Sequence, residues 1–258
     1  MKFFIDTANL EEIRKANDMG VICGVTTNPN IFYKAIHGSS LYDEEIKEGK
    51  GSASDILYGL MVKDVRSACD IFRPTAEKSD WVNGRVSLEV DPNISDDSEA
   101  MIAAAQKVWE KIERKNAMVK IPATPAGLEA ARFCIGHGIS VNMTLLFSLP
   151  HYQAAANAFL EGAMDALRSD TDLRSLGSVA SLFVSRIDTK VDAMLDRIGT
   201  QEALSLKGKA AIANSTLAYG LYLLLLARVF SPGGLAFLVR RRGVVVPLFS
   251  LLLASLLG

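Results

Sequence analysis

The sequence predicts an α/β fold, specifically a (β/α)8 barrel of the TIM type, on three observations. A chain of 258 residues that is 49% hydrophobic and 22% charged has enough apolar content for one large domain. Strand-like runs alternate with amphipathic helical segments through residues 3–184, which is βα repetition. Right-handed repetition on that scale leaves an open doubly wound sheet or a closed barrel, and a barrel's typical length of roughly 250 residues matches this chain.

The first run, Phe3-Phe4-Ile5, leads to Asn9, a residue type that caps helices, followed by a helix with Glu11 and Glu12 in its first turn and a stop at Gly20. Val21 to Thr27 is the second run. A helical stretch follows around Ala53 to Phe72, with Ile56, Leu60, Val65 and Ile71 at apolar positions. The strand Val86 to Val90 comes next and is closed by Asp91-Pro92.

Asp96, Asp97 and Glu99 then open a helix whose Met101, Ala105, Val108 and Ile112 fall at helical spacing. It delivers the chain to Met118-Val119-Lys120-Ile121. Thr124 caps the following helix with Pro125 at its first position, and Ser148 with Pro150 repeats the signal after the strand Ile139 to Phe147. The strand Ser178 to Val184 is the sixth.

In a parallel barrel alternate strand residues face the helices and must be apolar, while the others face the axis. That parity places Phe3, Ile5, Val25, Val86, Leu88, Val90, Val119, Ile121, Val141, Met143 and Leu145 outward. Phe4, Asp6, Thr26, Asn28, Ser87, Glu89, Asp91, Lys120, Asn142 and Thr144 face inward, with Ser181 and Phe183 sharing one face of the sixth strand. Polar groups at the C-terminal ends of barrel strands mark a site.

Burying a lone ammonium costs on the order of several kcal/mol, so an inward Lys120 favours its neutral, nucleophilic form. An amine of that kind attacks carbonyls to form a Schiff base, with Asp6 and Glu89 placed to exchange protons. The competing reading is a structural Lys120–Glu89 ion pair. Taken singly, Asn28, Asn142, Thr144 and Ser181 are as readily caps or satisfied core groups as ligand contacts.

Other chemistries are excluded. Cys23, Cys69 and Cys134 are odd in number and contain no CxxC pair. His37, His137 and His151 have no ligand spacing, so no metal site is expected. No nucleotide fingerprint is present, and basic residues lack the aromatic interleaving of nucleic-acid binders. Asp6 ends the opening apolar run before a secretion signal could form, so a cytoplasmic protein is expected.

The motifs Phe4-Ile5-Asp6-Thr7-Ala8-Asn9, Gly24-Val25-Thr26-Thr27-Asn28-Pro29, Ser87-Leu88-Glu89-Val90-Asp91, Val119-Lys120-Ile121-Pro122-Ala123-Thr124, Asn142-Met143-Thr144-Leu145-Leu146-Phe147-Ser148 and Phe183-Val184-Ser185-Arg186 together resemble the transaldolase family, over roughly Lys2 to Tyr219. The opening is similar to the short fructose-6-phosphate-aldolase-like branch. The segment from Ile31 to Tyr219 is closer to the longer bacterial transaldolases.

The resemblance implies a cofactor-free enzyme of the pentose phosphate pathway that transfers a dihydroxyacetone unit between sugar phosphates. It implies that Lys120 forms the Schiff base, Asp6 takes the C4 hydroxyl proton, and Glu89 and Thr144 hold a water. Thr26, Asn28, Asn142 and Ser181 would bind substrate, and Arg186 would grip its phosphate. Phe183, where the free-aldolase branch has a tyrosine, favours transfer over plain aldol cleavage.

The end of the chain departs from the pattern. After Glu202 there is no acidic residue, only Lys207, Lys209, Arg228 and Arg240-Arg241-Arg242, amid Leu/Val/Phe blocks. A division follows, with residues 1–219 as the barrel and 220–258 as an atypical apolar tail. No uninterrupted apolar block from Leu221 onward reaches the roughly 18 to 20 residues of a membrane span. Val244 to Phe249 is the expected seventh strand, without the second phosphate-binding cation the family carries there. Two alternatives follow: a weakly active or inactive chain whose tail drives aggregation, homo-oligomerisation or membrane adhesion, and a simple fructose-6-phosphate aldolase.

Overall fold

The computed structural model, which describes residues 3–230 and 249–254, realises the alternation read from the sequence. Seven strands, β1 (Phe3–Asp6), β2 (Ile22–Thr26), β3 (Arg85–Glu89), β4 (Ala117–Pro122), β5 (Val141–Leu146), β6 (Ser178–Phe183) and β7 (Phe249–Ala254), form one sheet in that order. Each pairs in parallel with the next. This order separates the two candidate architectures: a doubly wound sheet reverses at a switch point, whereas a TIM-type sheet adds each strand beside the last.

Hydrogen bonds across the concave side show the curl. Arg85 at the start of β3 donates to Ser175 O at 2.9 Å and to Ser140 Oγ at 3.3 Å, in the segments that lead into β6 and β5. In a flat sheet β3 and β6 would lie roughly 14 Å apart, beyond the reach of this side chain. Arg85 also donates to Lys115 O at 3.2 Å, so one buried guanidinium ties together the lower ends of three successive strands. Burial pushes its pKa down to about 10. Gly177 makes room for it, since a Cβ there would lie 2.6 Å from a guanidinium nitrogen.

The helices are α1 (Leu10–Asp18), α2 (Pro29–His37), α3 (Asp43–Glu48), α4 (Ala53–Lys78), α5 (Ser98–Ile112), α6 (Pro125–Gly136), α7 (Leu149–Arg168), α8 (Ser185–Ile198), α9 (Gln201–Leu204) and α10 (Ala210–Phe230). Their starts follow the capping chemistry of the sequence: Asn9 accepts from Glu11 N, Thr124 from Gly127 N, and Ser148 from His151 N. Val86, Leu88, Val119, Ile121, Val141 and Met143 are fully buried in the core between sheet and helices. The α4 helix runs six residues beyond the expected end at Phe72, through Pro74, which cannot donate to the Asp70 carbonyl.

Strict parity fails at three places. Phe3, at the start of β1, is 53% exposed rather than packed on helices, and the β1–β2 register shifts between it and Phe4. Leu145 takes a left-handed φ of 62° at a register shift between β5 and β6, so Leu146 fills the outward core position instead. Asp91 lies past the end of β3, exposed, where it caps a short 3-10 turn by accepting from Asn93 N at 2.9 Å.

The seventh strand is Phe249–Ala254, later than the expected Val244 to Phe249, of which residues 244–248 lie outside the described residues. Arg240, Arg241 and Arg242 also lie outside them. Helix α10 packs through buried Ala211 and Ala218 against the barrel's outer layer. Its first 18 residues, Ala210–Ala227, have a mean hydropathy of 1.6 and suffice by length and composition for a membrane span. A single helix of this kind is weak evidence of a span, and no clear membrane-spanning segment is found among the described residues.

Burial separates the thiols. Cys69 and Cys134 are fully enclosed, and burial pushes the Cys134 thiol up to about 12, whereas Cys23 is partly exposed. A disulfide-exchange reagent at pH 8 is expected to titrate one thiol in the native protein and three after denaturation. Because Cys134 titrates above its ordinary value of 9.0 when folded, the unfolded chain loses that proton first, so this group lowers stability as pH rises above 9.

Candidate active site

The inward residues form a buried tier and a rim. At the centre of the buried tier is Lys120 on β4, which is 7% exposed. Its Nζ lies 3.2 Å from Glu89 Oε2 on β3 and donates to the Thr27 carbonyl at 3.4 Å. The parallel register sets the carboxylate beside the amine, since Glu89 and Lys120 are directly paired. The lysine is therefore enclosed as half of an ion pair, not as a lone amine.

Beside it runs a hydrogen-bonded chain. Ser181 Oγ on β6 donates to Asn142 Oδ1 on β5 at 2.8 Å, and Asn142 Nδ2 donates to Ser87 Oγ on β3 at 3.1 Å. All three are buried. The two hydroxyls hold the Asn142 amide between them, one on each side. Thr144, also on β5, has a buried Oγ1 with no hydrogen-bond partner among the described residues. A buried hydroxyl without a partner loses the free energy of hydration it had in the unfolded chain, which a water or ligand group beside it would restore.

The rim holds Asp6, Thr26, Asn28 and Arg186. Thr26 Oγ1 donates to Asp6 Oδ1 at 2.8 Å, which fixes the exposed carboxylate at the end of β1. Asn28 caps α2, its Oδ1 accepting from Ile31 N at 3.0 Å. Rim and buried tier are joined by Thr27, whose carbonyl meets Lys120 and whose hydroxyl donates to Ser87 O at 2.6 Å. Phe183 packs its ring on Phe147 at a centroid distance of 5.3 Å, and the Arg186 guanidinium sits 5.1 Å over the Phe183 ring. Asp6, Asn28 and Arg186 all line a cleft of about 900 Å³ that opens alongside α2.

All ten residues singled out by the sequence thus lie on the concave side or its mouth, but not in one contact set. Arg186 is exposed and meets Phe183 rather than the buried tier. Sequence reasoning missed Thr27, whose contribution to Lys120 is a backbone carbonyl that no side-chain pattern encodes. Parity places Ser87 inward, and the structure adds its link to Asn142.

Chemically, the arrangement offers one enclosed primary amine, a carboxylate against it, an unpartnered hydroxyl nearby and a second carboxylate at the mouth. Removing one partner of an enclosed pair strands the other, so Glu89→Gln is expected to cost about 3–5 kcal/mol of stability in urea unfolding. The double variant Glu89→Gln/Lys120→Met is expected to be more stable than that single variant. Additive costs would show that the two side chains do not interact.

Comparison with known proteins is consistent with this chemistry. The chain is 46% identical over 213 residues to a transaldolase of Kocuria rhizophila, covering 81% of this chain and 58% of that relative. It is 44% identical over 221 residues to a transaldolase of a Parafrankia species, covering 84% and 59%. A transaldolase of Acidothermus cellulolyticus is 44% identical over 230 residues, covering 86% and 62%. The chain thus spans about three-fifths of the length of these curated relatives. The sequence model described as Transaldolase/Fructose-6-phosphate aldolase matches residues 3–226, nearly the whole of β1 to α10, and on that match the chain belongs to the transaldolase/fructose-6-phosphate aldolase family.

Proposed function

We propose that this protein is a transaldolase that moves a dihydroxyacetone unit from a ketose phosphate to an aldose phosphate through a Schiff base on Lys120. The observation that carries the reading is the enclosed Lys120 amine held against Glu89, with Asp6 at the mouth above it. The names of the relatives support the same activity.

Proton transfer to Glu89 frees the Lys120 lone pair, which attacks the C2 carbonyl of the ketose. The resulting carbinolamine loses its hydroxyl as water, with Glu89 returning the proton, and leaves an iminium ion. Asp6 takes the proton of the C4 hydroxyl as the C3–C4 bond breaks. The bonding electrons pass into the iminium, which becomes an enamine, and the shortened aldose phosphate departs. The enamine carbon then adds to the carbonyl of the acceptor aldose phosphate, and the sequence runs in reverse to release the new ketose.

The partnerless Thr144 Oγ1 suits the water that leaves and returns in the carbinolamine steps. The Ser181–Asn142–Ser87 chain holds in place the amide that meets substrate hydroxyls. Phe183 offers no hydroxyl to protonate the enamine, which favours passing it to an acceptor over releasing free dihydroxyacetone. In this reading the protein works in the cytoplasm within the pentose phosphate pathway, on small sugar phosphates and without a cofactor. Residues 1–219 carry the chemistry, and the atypical apolar stretch 220–258 supplies the end of α10 and strand β7.

Borohydride reduction with fructose 6-phosphate is expected to leave a covalent sugar fragment on Lys120, located by peptide mass mapping. Lys120→Met abolishes it, and a retained adduct would identify another amine as the nucleophile. Asp6→Asn is expected to slow C–C cleavage by about 10² to 10⁴ while still permitting the adduct. Unchanged turnover with erythrose 4-phosphate as acceptor would remove Asp6 from the proton transfer.

A further inference from the structure

Helix α10 is held to the barrel along one face and carries no charge along the other. On the inner face Ala211 and Ala218 are buried, Ala211 N donates to Asp188 Oδ1 at 2.8 Å, and Asn214 Nδ2 donates to the Phe147 carbonyl at 3.2 Å. The outward face is exposed from Ile212 to Ala227, about four helical turns. Its midline is the series Ala213, Thr216, Gly220, Leu223 and Ala227, in steps of three and four residues. Ile212 and Tyr219 flank that line on one side, Leu217 and Leu224 on the other. Alternating steps of three and four are the period with which one helix meets another along a seam. The one polar side chain on the midline is already satisfied, since Thr216 Oγ1 donates to Ile212 O at 2.9 Å.

Gly220 is a second, independent observation. A glycine inside a helix weakens it, and the protein's own packing does not require one here, because a Cβ at this position would meet no atom within 4 Å. The space it leaves lies outside the chain, at the midpoint of the exposed face, where a missing side chain lets another backbone come close. The size of the face agrees. Ile212, Leu217, Tyr219, Leu223 and Leu224 are between 47% and 70% exposed. With the small residues between them they present on the order of 700 Å², so two copies covering each other would bury about 1,400 Å², within the range of stable specific interfaces. An apolar patch of that extent on a protein surface marks an interaction site.

We propose that α10 is a self-association helix, through which two copies of this chain pair about a two-fold axis at Gly220. The helices run antiparallel, so the Ala213 end of one meets the Ala227 end of the other and the glycines cross at the point of closest approach. A bilayer is the other apolar medium able to cover such a face. A helix lying in a membrane interface carries Lys and Arg on its polar side, however, and no lysine or arginine occurs between Lys209 and Arg228. The pairing uses none of the residues assigned to the Schiff-base chemistry and stands independently of that reading.

Sedimentation velocity of the full chain over a dilution series tests the pairing, with the wild-type chain expected to pass reversibly from dimer to monomer. Leu217→Lys/Leu224→Lys is expected to raise the dimer dissociation constant roughly 30-fold or more. Gly220→Leu fills the crossing point while introducing a better helix former, so it is expected to abolish the dimer and leave the circular dichroism spectrum unchanged. Met19→Lys, which replaces a 67% exposed side chain at the end of α1, controls for surface hydrophobicity in general and is expected to leave the dimer intact. A wild-type chain that stays monomeric throughout, or a dimer that persists in both α10 variants, would overturn the inference. Growth that does not stop at the dimer would do so too, as would binding of the wild-type chain to phosphatidylcholine vesicles that Leu217→Lys/Leu224→Lys abolishes and Gly220→Leu does not, which would assign the face to a bilayer.

Discussion

A parallel sheet that curls on itself has one face covered by helices and one face turned toward its own axis, and any polar group on that inner face must find its partner inside. This constraint organises the whole molecule. At the lower end Arg85 meets it with two carbonyls and a hydroxyl contributed by the approaches to β4, β5 and β6. In the middle the Ser181–Asn142–Ser87 chain meets it with three side chains from three strands. At the upper end Lys120 meets it with Glu89 and the Thr27 carbonyl. Each set crosses at least one intervening strand, so satisfying the polar groups and holding the curl are the same event.

The Lys120–Glu89 pair illustrates why a structural and a catalytic reading of one contact need not compete. An ammonium enclosed without a countercharge would be costly, and a carboxylate beside it makes burial tolerable. The same carboxylate is the group nearest to take the proton that must leave before the nitrogen can attack a carbonyl. In the proposed reaction the contact that makes burial tolerable is also the one through which the proton leaves. A well-packed hydrophobic pair would hold the sheet as well or better, so stability by itself gives little reason for charges at this position.

Much of this was legible in the sequence, because the controlling signals are local. Caps such as Asn9, Thr124 and Ser148 act within three residues of themselves, and the outward Val, Leu, Ile and Met positions follow a period of two. The losses came where a non-local event resets that period. The left-handed Leu145 belongs to a bulge set by the fit of β5 to β6, and parity carried past it assigns the wrong leucine to the core. Asp91 was counted inward because nothing in its spelling says that β3 ends at Glu89. Arg85 went unremarked because a charged residue at a strand's start reads as exposed, and only curvature brings the Ser175 and Lys115 carbonyls within its reach.

The hydrogen-bond inventory also divides the ten sequence-derived residues by what they have left to give. Ser181 has donated its only hydroxyl proton, Thr26 has donated its own to Asp6, and the Asn28 oxygen already serves a helix terminus. These three are committed first to positioning, and any substrate contact they make uses remaining lone pairs or the Asn28 amide protons. Asn142 retains one donor and one acceptor after its two bonds. Thr144 Oγ1 and the Arg186 guanidinium have no hydrogen bond among the described residues, and the Glu89 and Asp6 carboxylates each keep a second oxygen with no protein partner among them. In the proposed reaction the reacting and charged portions of a substrate would fall to Lys120, Glu89, Thr144, Asp6 and Arg186, with Asp6 held in place by Thr26. A polar interior built first to close the sheet leaves unspent only those groups from which a reaction can draw.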